Sequence, residues 1–355
     1  MILQTAMLLT SATVVFSSPS DGFHTFRIPS LYKSRKGPLL AFCEGRQSQS
    51  DAAQNQLVLK RSFDDGKTWG PLQIIAKMGG SLNNPCVVET TSGKLILHFQ
   101  FYPAGTHEYD AVAGYSGAKA VLAYQMESQD AGATWGKPRA LTPQVKNSEA
   151  ATLASGPGIG IQLNRSRHKG RLLMPYNQRI DKRWSVYMAI SDDQGKTWKR
   201  GRLVDQPDDV NGNEVQVVEL AEGAVLLNAR NQASGGQRCV AISHDGGNTF
   251  SRIALDSRLV DPVCQGSIVR LSWPDGNGPG VLAFSNPMDD KSRRNGHIQL
   301  SFDEGRTWPQ RFLIDPASFQ YSCLCSLSEK MAGILYERVT QDQYEIVFRT
   351  LNWKP

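Results

Sequence analysis

Three arginines stand where a charge needs a partner. Arg27 lies in the extended run Phe26-Arg27-Ile28-Pro29, Arg230 closes the apolar strand Val225-Leu226-Leu227-Asn228-Ala229-Arg230, and Arg293 opens Arg293-Arg294-Asn295-Gly296. A guanidinium inside an apolar strand is costly unless its charge is paired. Singly, each reads as a surface or salt-bridged arginine. Together, at what are read as homologous strand positions, they read as one shared anion site. Arginine suits that task because its planar fork engages a carboxylate through two parallel hydrogen bonds.

Such a site needs a frame, and the sequence supplies one. Five copies of Ser-x-Asp-x-Gly-x-Thr-Trp/Phe run along the chain: Ser62 to Trp69, Ser128 to Trp135, Ser191 to Trp198, Ser243 to Phe250 and Ser301 to Trp308. Their starts are 66, 63, 52 and 58 residues apart (62→128→191→243→301). Recurrence at a roughly fixed period marks a repeat architecture. Short β-branched runs precede the copies, as in Gln56-Leu57-Val58-Leu59, Ser185-Val186-Tyr187-Met188-Ala189-Ile190 and His297-Ile298-Gln299-Leu300. Each reads as a strand entering a hairpin. The Asp can bond amides of its own turn and the Gly can take positive φ. Thr and the aromatic ring then open the next strand. Asp64, Asp130, Asp192-Asp193, Asp245 and Asp303 are therefore read as folding devices. A calcium loop would need more oxygen ligands at alternating spacing.

A unit of about 50–65 residues suits one four-stranded sheet with its loops, and such sheets arranged radially form a β-propeller. Five marked turns plus one unmarked unit predict an all-β, six-bladed propeller, one domain over residues 1–355. The unmarked unit is expected to join the chain ends, with Thr13-Val14-Val15-Phe16 pairing against Tyr344-Glu345-Ile346-Val347-Phe348. That closure removes exposed edges.

Net charge is +6 and the pI about 9.0. The Lys and Arg residues are dispersed, with no basic stripe interleaved with aromatics, so nucleic acid is not the expected partner. A pocket for an anionic molecule, and approach to anionic polymers, account for the balance better. The cysteines are Cys43, Cys86, Cys239, Cys264, Cys323 and Cys325. None forms a Cys-x-x-Cys pair, so zinc is not expected. Their apolar settings favour buried free thiols over disulfides. The first sixteen residues lack the Lys or Arg that fronts a secretory signal. No run of about twenty apolar residues offers a membrane span. The expectation leans to a secreted or periplasmic protein whose signal is absent from this chain, with the cytoplasm as the alternative.

With these residues in place, the chain resembles the exo-sialidases (neuraminidases) of the family shared by bacteria and animals. The resemblance rests on Phe26-Arg27-Ile28-Pro29, the five Asp boxes, Asn228-Ala229-Arg230 and the late Arg293-x-Asn295, and runs from about Phe16 to Trp353. It implies that Arg27, Arg230 and Arg293 grip a substrate carboxylate, with Arg294 as fallback for the third. It also implies that Glu337 orients Arg27, that Tyr321 in Phe319-Gln320-Tyr321-Ser322 is the nucleophile, and that Glu214 is its base. Asp51, five residues after Arg46, is implied as acid and then base on a mobile loop. Read alone, Tyr321 is a core residue, Asp51 a solvated loop residue and Glu337 a strand-end carboxylate. Arg46, Glu44, Asn84 and Gln265 fall in segments that resemble pocket loops.

The activity implied is release of terminal α-linked sialic acid from oligosaccharides, glycoproteins and gangliosides, with retention and with no metal or organic cofactor. Two departures stand out. Animal cytosolic members carry Met where this chain has Asn83, and paired tyrosines near Tyr176-Asn177-Gln178. The N-acyl and glycerol ends of the pocket are therefore expected to differ. Transfer of the sugar to another sugar, or intramolecular transfer on the same fold, stays open, since acceptor-side loops decide it. A binding propeller that merely carries Asp boxes would not need Tyr321, Glu214 and Asp51 together. Nothing in the sequence speaks to oligomeric state.

Overall fold

Short apolar runs bounded by turn residues fold as strands, and these group into six small sheets. The computed structural model describes residues 9–233, 236–276, 278–340 and 343–353. The reading of a missing charged front falls partly on residues 1–8, outside the described residues.

The sheets form the blades of a six-bladed β-propeller. From the inside outward, blade one is Thr25–Lys33, Leu39–Arg46, Gln56–Ser62 and Gln73–Ala76. Blade two is Gly80–Glu89, Leu95–Pro103, Leu122–Ser128 and Arg139–Ala140, with Gly158–Ile159 added in parallel on its inner side. Blade three is Thr152–Ser155, Leu172–Ile180, Arg183–Ser191 and Lys199–Arg200, with Ile161–Gln162 beside its second strand. Blade four is Gly212–Glu219, Val225–Asn231, Arg238–Ser243 and Ala254–Asp256. Blade five is Ser267–Ser272, Val281–Pro287, Arg294–Ser301 and Gln310–Ser318. Blade six takes Ser322–Ser328, Met331–Thr340 and Gln343–Asn352 from the end of the chain and Thr13–Ser17 from its start. Thr13 pairs with Phe348, Val14 with Val347 and Phe16 with Ile346. The sixth Asp box is missing for a topological reason: the turn it would mark is where the chain is open.

The five boxes connect the third and fourth strands of blades one to five. In the first, Ser62 Oγ donates to Asp64 Oδ1 (2.7 Å) and accepts from Gly66 N (2.8 Å). Asp64 accepts from Thr68 N (2.9 Å) and Thr68 Oγ1 (2.6 Å). Two successive residues, Asp65 and Gly66, take positive φ (56° and 89°). Glycine is required there for a second reason. A Cβ on Gly66 would stand 2.1 Å from the Phe348 ring of blade six, and one on Gly195 2.3 Å from Ile96 of blade two. The aromatic ring of the box also reaches its neighbour: Trp69 meets Phe348, Trp135 meets Phe42 and Trp198 meets His98. Each of these boxes staples its blade to the one before it. Apolar clusters fill the spaces between neighbouring blades. Each fully buried Leu, Ile or Phe in them stabilises the fold by roughly 1.5–3 kcal/mol. All six cysteines are free and buried.

Candidate active site

In a four-stranded antiparallel blade the first and third strands leave from one end, so the turn between the third and fourth lies at the opposite end. The boxes therefore mark one face of the propeller. The other face, where the inner strands begin, opens into a cavity of roughly 270 Å³. Its lining includes Arg27, Arg46, Asp51, Asn84, Glu214, Arg230, Arg293 and Tyr321.

The inner strands are irregular where they face this cavity. Register shifts fall between Arg27 and Ser30, between Asn83 and Cys86, and between Gly212 and Val215, beside Glu214. A bulge re-aims a side chain that regular pleating would send elsewhere. Ile28 and Asn84 accordingly take φ of 62° and 56°. Positive φ is strained for a β-branched residue such as Ile28. Buried carboxylates hold both: Glu337 accepts from Ile28 N (2.7 Å) and Glu44 from Asn84 N (2.8 Å).

Tyr321 lies at the centre, just before the inner strand of blade six. Its hydroxyl donates to Glu214 Oε1 and accepts from Arg230 Nη1 at 3.0 Å. The guanidinium of Arg27 stands 5.0 Å from the Tyr321 ring centroid and that of Arg293 5.4 Å. Three guanidiniums thus surround one phenol. Glu337 grips Arg27 through Nε (3.1 Å) and Nη2 (3.0 Å) and also accepts from Tyr321 N (3.3 Å). Glu214 Oε2 accepts from Arg230 at 2.8 Å. Arg293 pairs with no carboxylate among the described residues; it donates to the Val263 carbonyl at 3.0 Å. Burial, then the charge on Glu214, pushes the Tyr321 phenol well above its usual range, against the pull of the three arginines. Burial pushes Asp51 up too, but the guanidiniums of Arg46 and Arg27 outweigh it and hold the carboxyl below its ordinary value. Arg46 Nη1 meets Asp51 Oδ1 at 2.5 Å.

The placement corrects several expectations. The three arginines do not occupy homologous strand positions. Arg27 is on a first strand, Arg230 near the end of a second, and Arg293 just before a third. They converge because those positions share one end of the propeller. Arg294 is exposed and bound to Asp289 (2.6 Å), so it is no substitute for Arg293. Gln265 does not line the cavity. It is buried, and its Oε1 accepts from Ser322 N (3.0 Å), fixing the strand that follows Tyr321. Glu44 also lies behind the lining, where it holds Arg46 (Nε, 2.8 Å) and the Asn84 amide.

One wall escaped the sequence reading. His107, Glu108 and Tyr109, from the segment 104–121 of blade two, line the cavity with Trp184, Asn177 and Gln232. Burial pushes the Glu108 carboxyl above its usual range. Two cations, Arg179 of blade three and Lys146 in the connection between blades two and three, hold this segment by carbonyls. Arg179 donates to Glu108 O (2.7 Å), and the buried Lys146 donates to Gly114 O (2.8 Å) and Val121 O (3.1 Å). The sequence held one hint of it: the interval between the first two boxes is the longest of the four.

Among the described residues, no helix is long and apolar enough to cross a membrane and no His/Cys/Asp/Glu cluster is able to hold a metal.

Comparison with known proteins gives the same picture. The family model for a BNR repeat-like domain matches residues 37–335. A sialidase of Micromonospora viridifaciens is 34% identical over 348 residues, which is 91% of this chain and 51% of that protein. Human sialidase-3 is 31% identical over 396 residues, covering 94% of this chain and 91% of its own. Among solved structures, the Hadza microbial sialidase Hz136 superposes with a TM-score of 0.86 at 26% identity, over 96% of this chain and 68% of that one. The chain spans about half the length of the Micromonospora relative. Fold and repeats define a six-bladed propeller of the BNR-repeat class. Within that class, the chain belongs to the sialidase family.

Proposed function

We propose that this chain hydrolyses terminal α-linked sialic acid from glycans, with retention at the anomeric carbon. The observation that carries the reading is the contact of the Tyr321 hydroxyl with Glu214 inside a ring of three guanidiniums. Arg27, Arg230 and Arg293 would clasp the sugar carboxylate and set the anomeric carbon over Tyr321, which lowers the entropic part of the barrier. That carbon already bears a negative group, so an attacking carboxylate would meet like charge. A neutral phenol avoids this, and sialidases with a Tyr nucleophile are a recognised exception to the two-carboxylate pattern. A phenol is a weak nucleophile until a neighbouring base removes its proton.

The two displacements balance as follows. The Tyr321 oxygen bonds to the anomeric carbon as its proton passes to Glu214, while the glycosidic bond breaks and Asp51 protonates the leaving oxygen. Asp51 then takes a proton from water. The resulting hydroxide displaces Tyr321, and Glu214 returns the proton to the phenol. In the free protein the Arg46 ion pair keeps Asp51 ionised. The acid role therefore requires substrate to part that pair, which suits a half-exposed residue on a turn.

A proton-NMR time course of a sialyllactose digest tests the reading. The α-anomer of free sialic acid should appear first and mutarotate later. First release of the β-anomer would overturn the retaining mechanism. A sialylated acceptor or an intramolecular anhydro product would replace hydrolysis by transfer.

A further inference from the structure

One of the three arginines near Tyr321 is held in a way that repeats elsewhere in the cavity floor. Glu337 neutralises Arg27 and takes the amide of Ile28, a residue at positive φ. Glu44 neutralises Arg46 and takes the amide of Asn84, also at positive φ. A third carboxylate does the same where no lining residue shows it. Asp261 pairs with Arg238 (3.1 Å), both fully buried, and accepts from Cys264 N (2.9 Å), the amide that follows Val263 at φ 55°.

This third node reaches both ways. Asp261 Oδ2 accepts from Asn231 N (3.0 Å), the residue after Arg230. Arg238 donates to Cys264 O (2.5 Å) and to Asn228 Oδ1 (2.8 Å), two residues before Arg230. The segment clamped between Asp261 and Cys264 presents the Val263 carbonyl to Arg293. A β-branched residue persists at positive φ only where its surroundings over-determine it, and here two backbone anchors on Cys264 do so. Cys264 also packs against Tyr321 and Ile28.

We propose that the Arg238–Asp261 pair positions Arg230 and Arg293 for carboxylate recognition, acting through the strand end at Asn231 and the Val263 carbonyl. The proposal rests on the sialidase reading and adds a layer to it. Neither residue touches substrate; both are positioning residues. A buried ion pair is poor value as a stabiliser compared with apolar side chains of equal volume, which fits a geometric task better than an energetic one.

The test is a double-mutant cycle read by inhibition constants for the 2,3-unsaturated glycal of sialic acid, whose carboxylate the arginines would grip. Asp261→Asn should weaken inhibition about tenfold in the wild-type background, but no more than about threefold when Arg293 is already Ala, because residues that act as one unit are not additive. KM for an activated sialoside should rise in parallel. Equal losses in both backgrounds, or unchanged inhibition by a folded Asp261→Asn protein, would overturn the proposal. If that variant shows no cooperative thermal transition, Arg238→Lys decides. Lysine keeps a cation beside Asp261 but lacks the planar fork that holds Asp261, Cys264 O and Asn228 at once, so inhibition should weaken about threefold; no change overturns the proposal. A wild-type protein that turns over no sialoside and binds no glycal would sink the sialidase reading itself, and this inference with it.

Discussion

On the face of the propeller that carries the Asp boxes, five segments make the same four hydrogen bonds at nearly the same distances. On the opposite face the three guanidiniums leave from three different strand positions, and each inner strand that carries a lining residue of blades one, two or four is bulged. The difference shows how the two jobs of the fold are separated. Blade-to-blade stapling is local and repeatable, so one short motif serves five times. A site must bring unlike groups to one point, so repetition has to be broken there. The β-branched residues at positive φ, Ile28 and Val263, belong to that face, where Glu337, Glu44 and Asp261 hold the irregular backbone.

If the two faces are this independent, substitutions on one should spare the property of the other. The largest effect is expected at Tyr321. Tyr321→Phe should cost at least about a thousandfold in kcat on an activated sialoside, because no comparable nucleophile replaces the phenol. Its melting temperature should stay close to that of wild type. A joint loss of activity and stability would break the separation.

Asp51→Ala should sharpen it. Turnover of a natural sialyl glycoside should fall about a hundredfold or more, and that of an aryl sialoside less than tenfold, because a good leaving group needs little protonation. Equal losses on both substrates would remove Asp51 from the acid role.

On the box face the expectation reverses. Gly66→Ala puts a Cβ against Phe348 at positive φ, which should destabilise the fold by about 2–4 kcal/mol. The kcat/KM measured well below the transition should stay within twofold of wild type. A large drop in kcat/KM with stability intact would mean that the faces communicate.

The smallest effect concerns pH. Hydrogen bonds from Thr134 lead the causes that hold the Asp130 carboxyl at about 2. Its folded value lies below its unfolded one, so its contribution is present above about pH 4 and fades as pH falls towards 2. Asp130→Asn should flatten that part of the acid limb in urea midpoints taken from pH 5 to 2.5. Parallel slopes for variant and wild type would show that the carboxyl is not depressed.

Much of the box face was legible in the residues. Ser62, Asp64, Gly66 and Thr68 lie within a few positions of one another, so the motif states its own hydrogen bonds. The pairing of Thr13–Phe16 with Tyr344–Phe348 was legible as well, because a closed ring leaves the unmarked strands only each other. The pocket face was legible in residue type and less so in place. Arg27, Arg230 and Arg293 were recognisable as residues of one cluster, but matching strand positions were the wrong frame, since bulges and loop departures set their direction. Gln265 and Glu44 lay in the right segments and pointed behind the wall. The segment 104–121 carries no motif, and Arg238 and Asp261, 23 residues apart, show no pattern that joins them.

What the amino-acid sequence determined by itself was everything written in short-range contacts: the turns, the strands, their number and the closure of the ring. Tertiary structure alone decided which groups face the cavity. Whether a side chain lines a cavity or braces its wall depends on a bulge, a backbone angle or a buried carboxylate contributed by a different blade, and those are contacts between residues that the order along the chain keeps far apart.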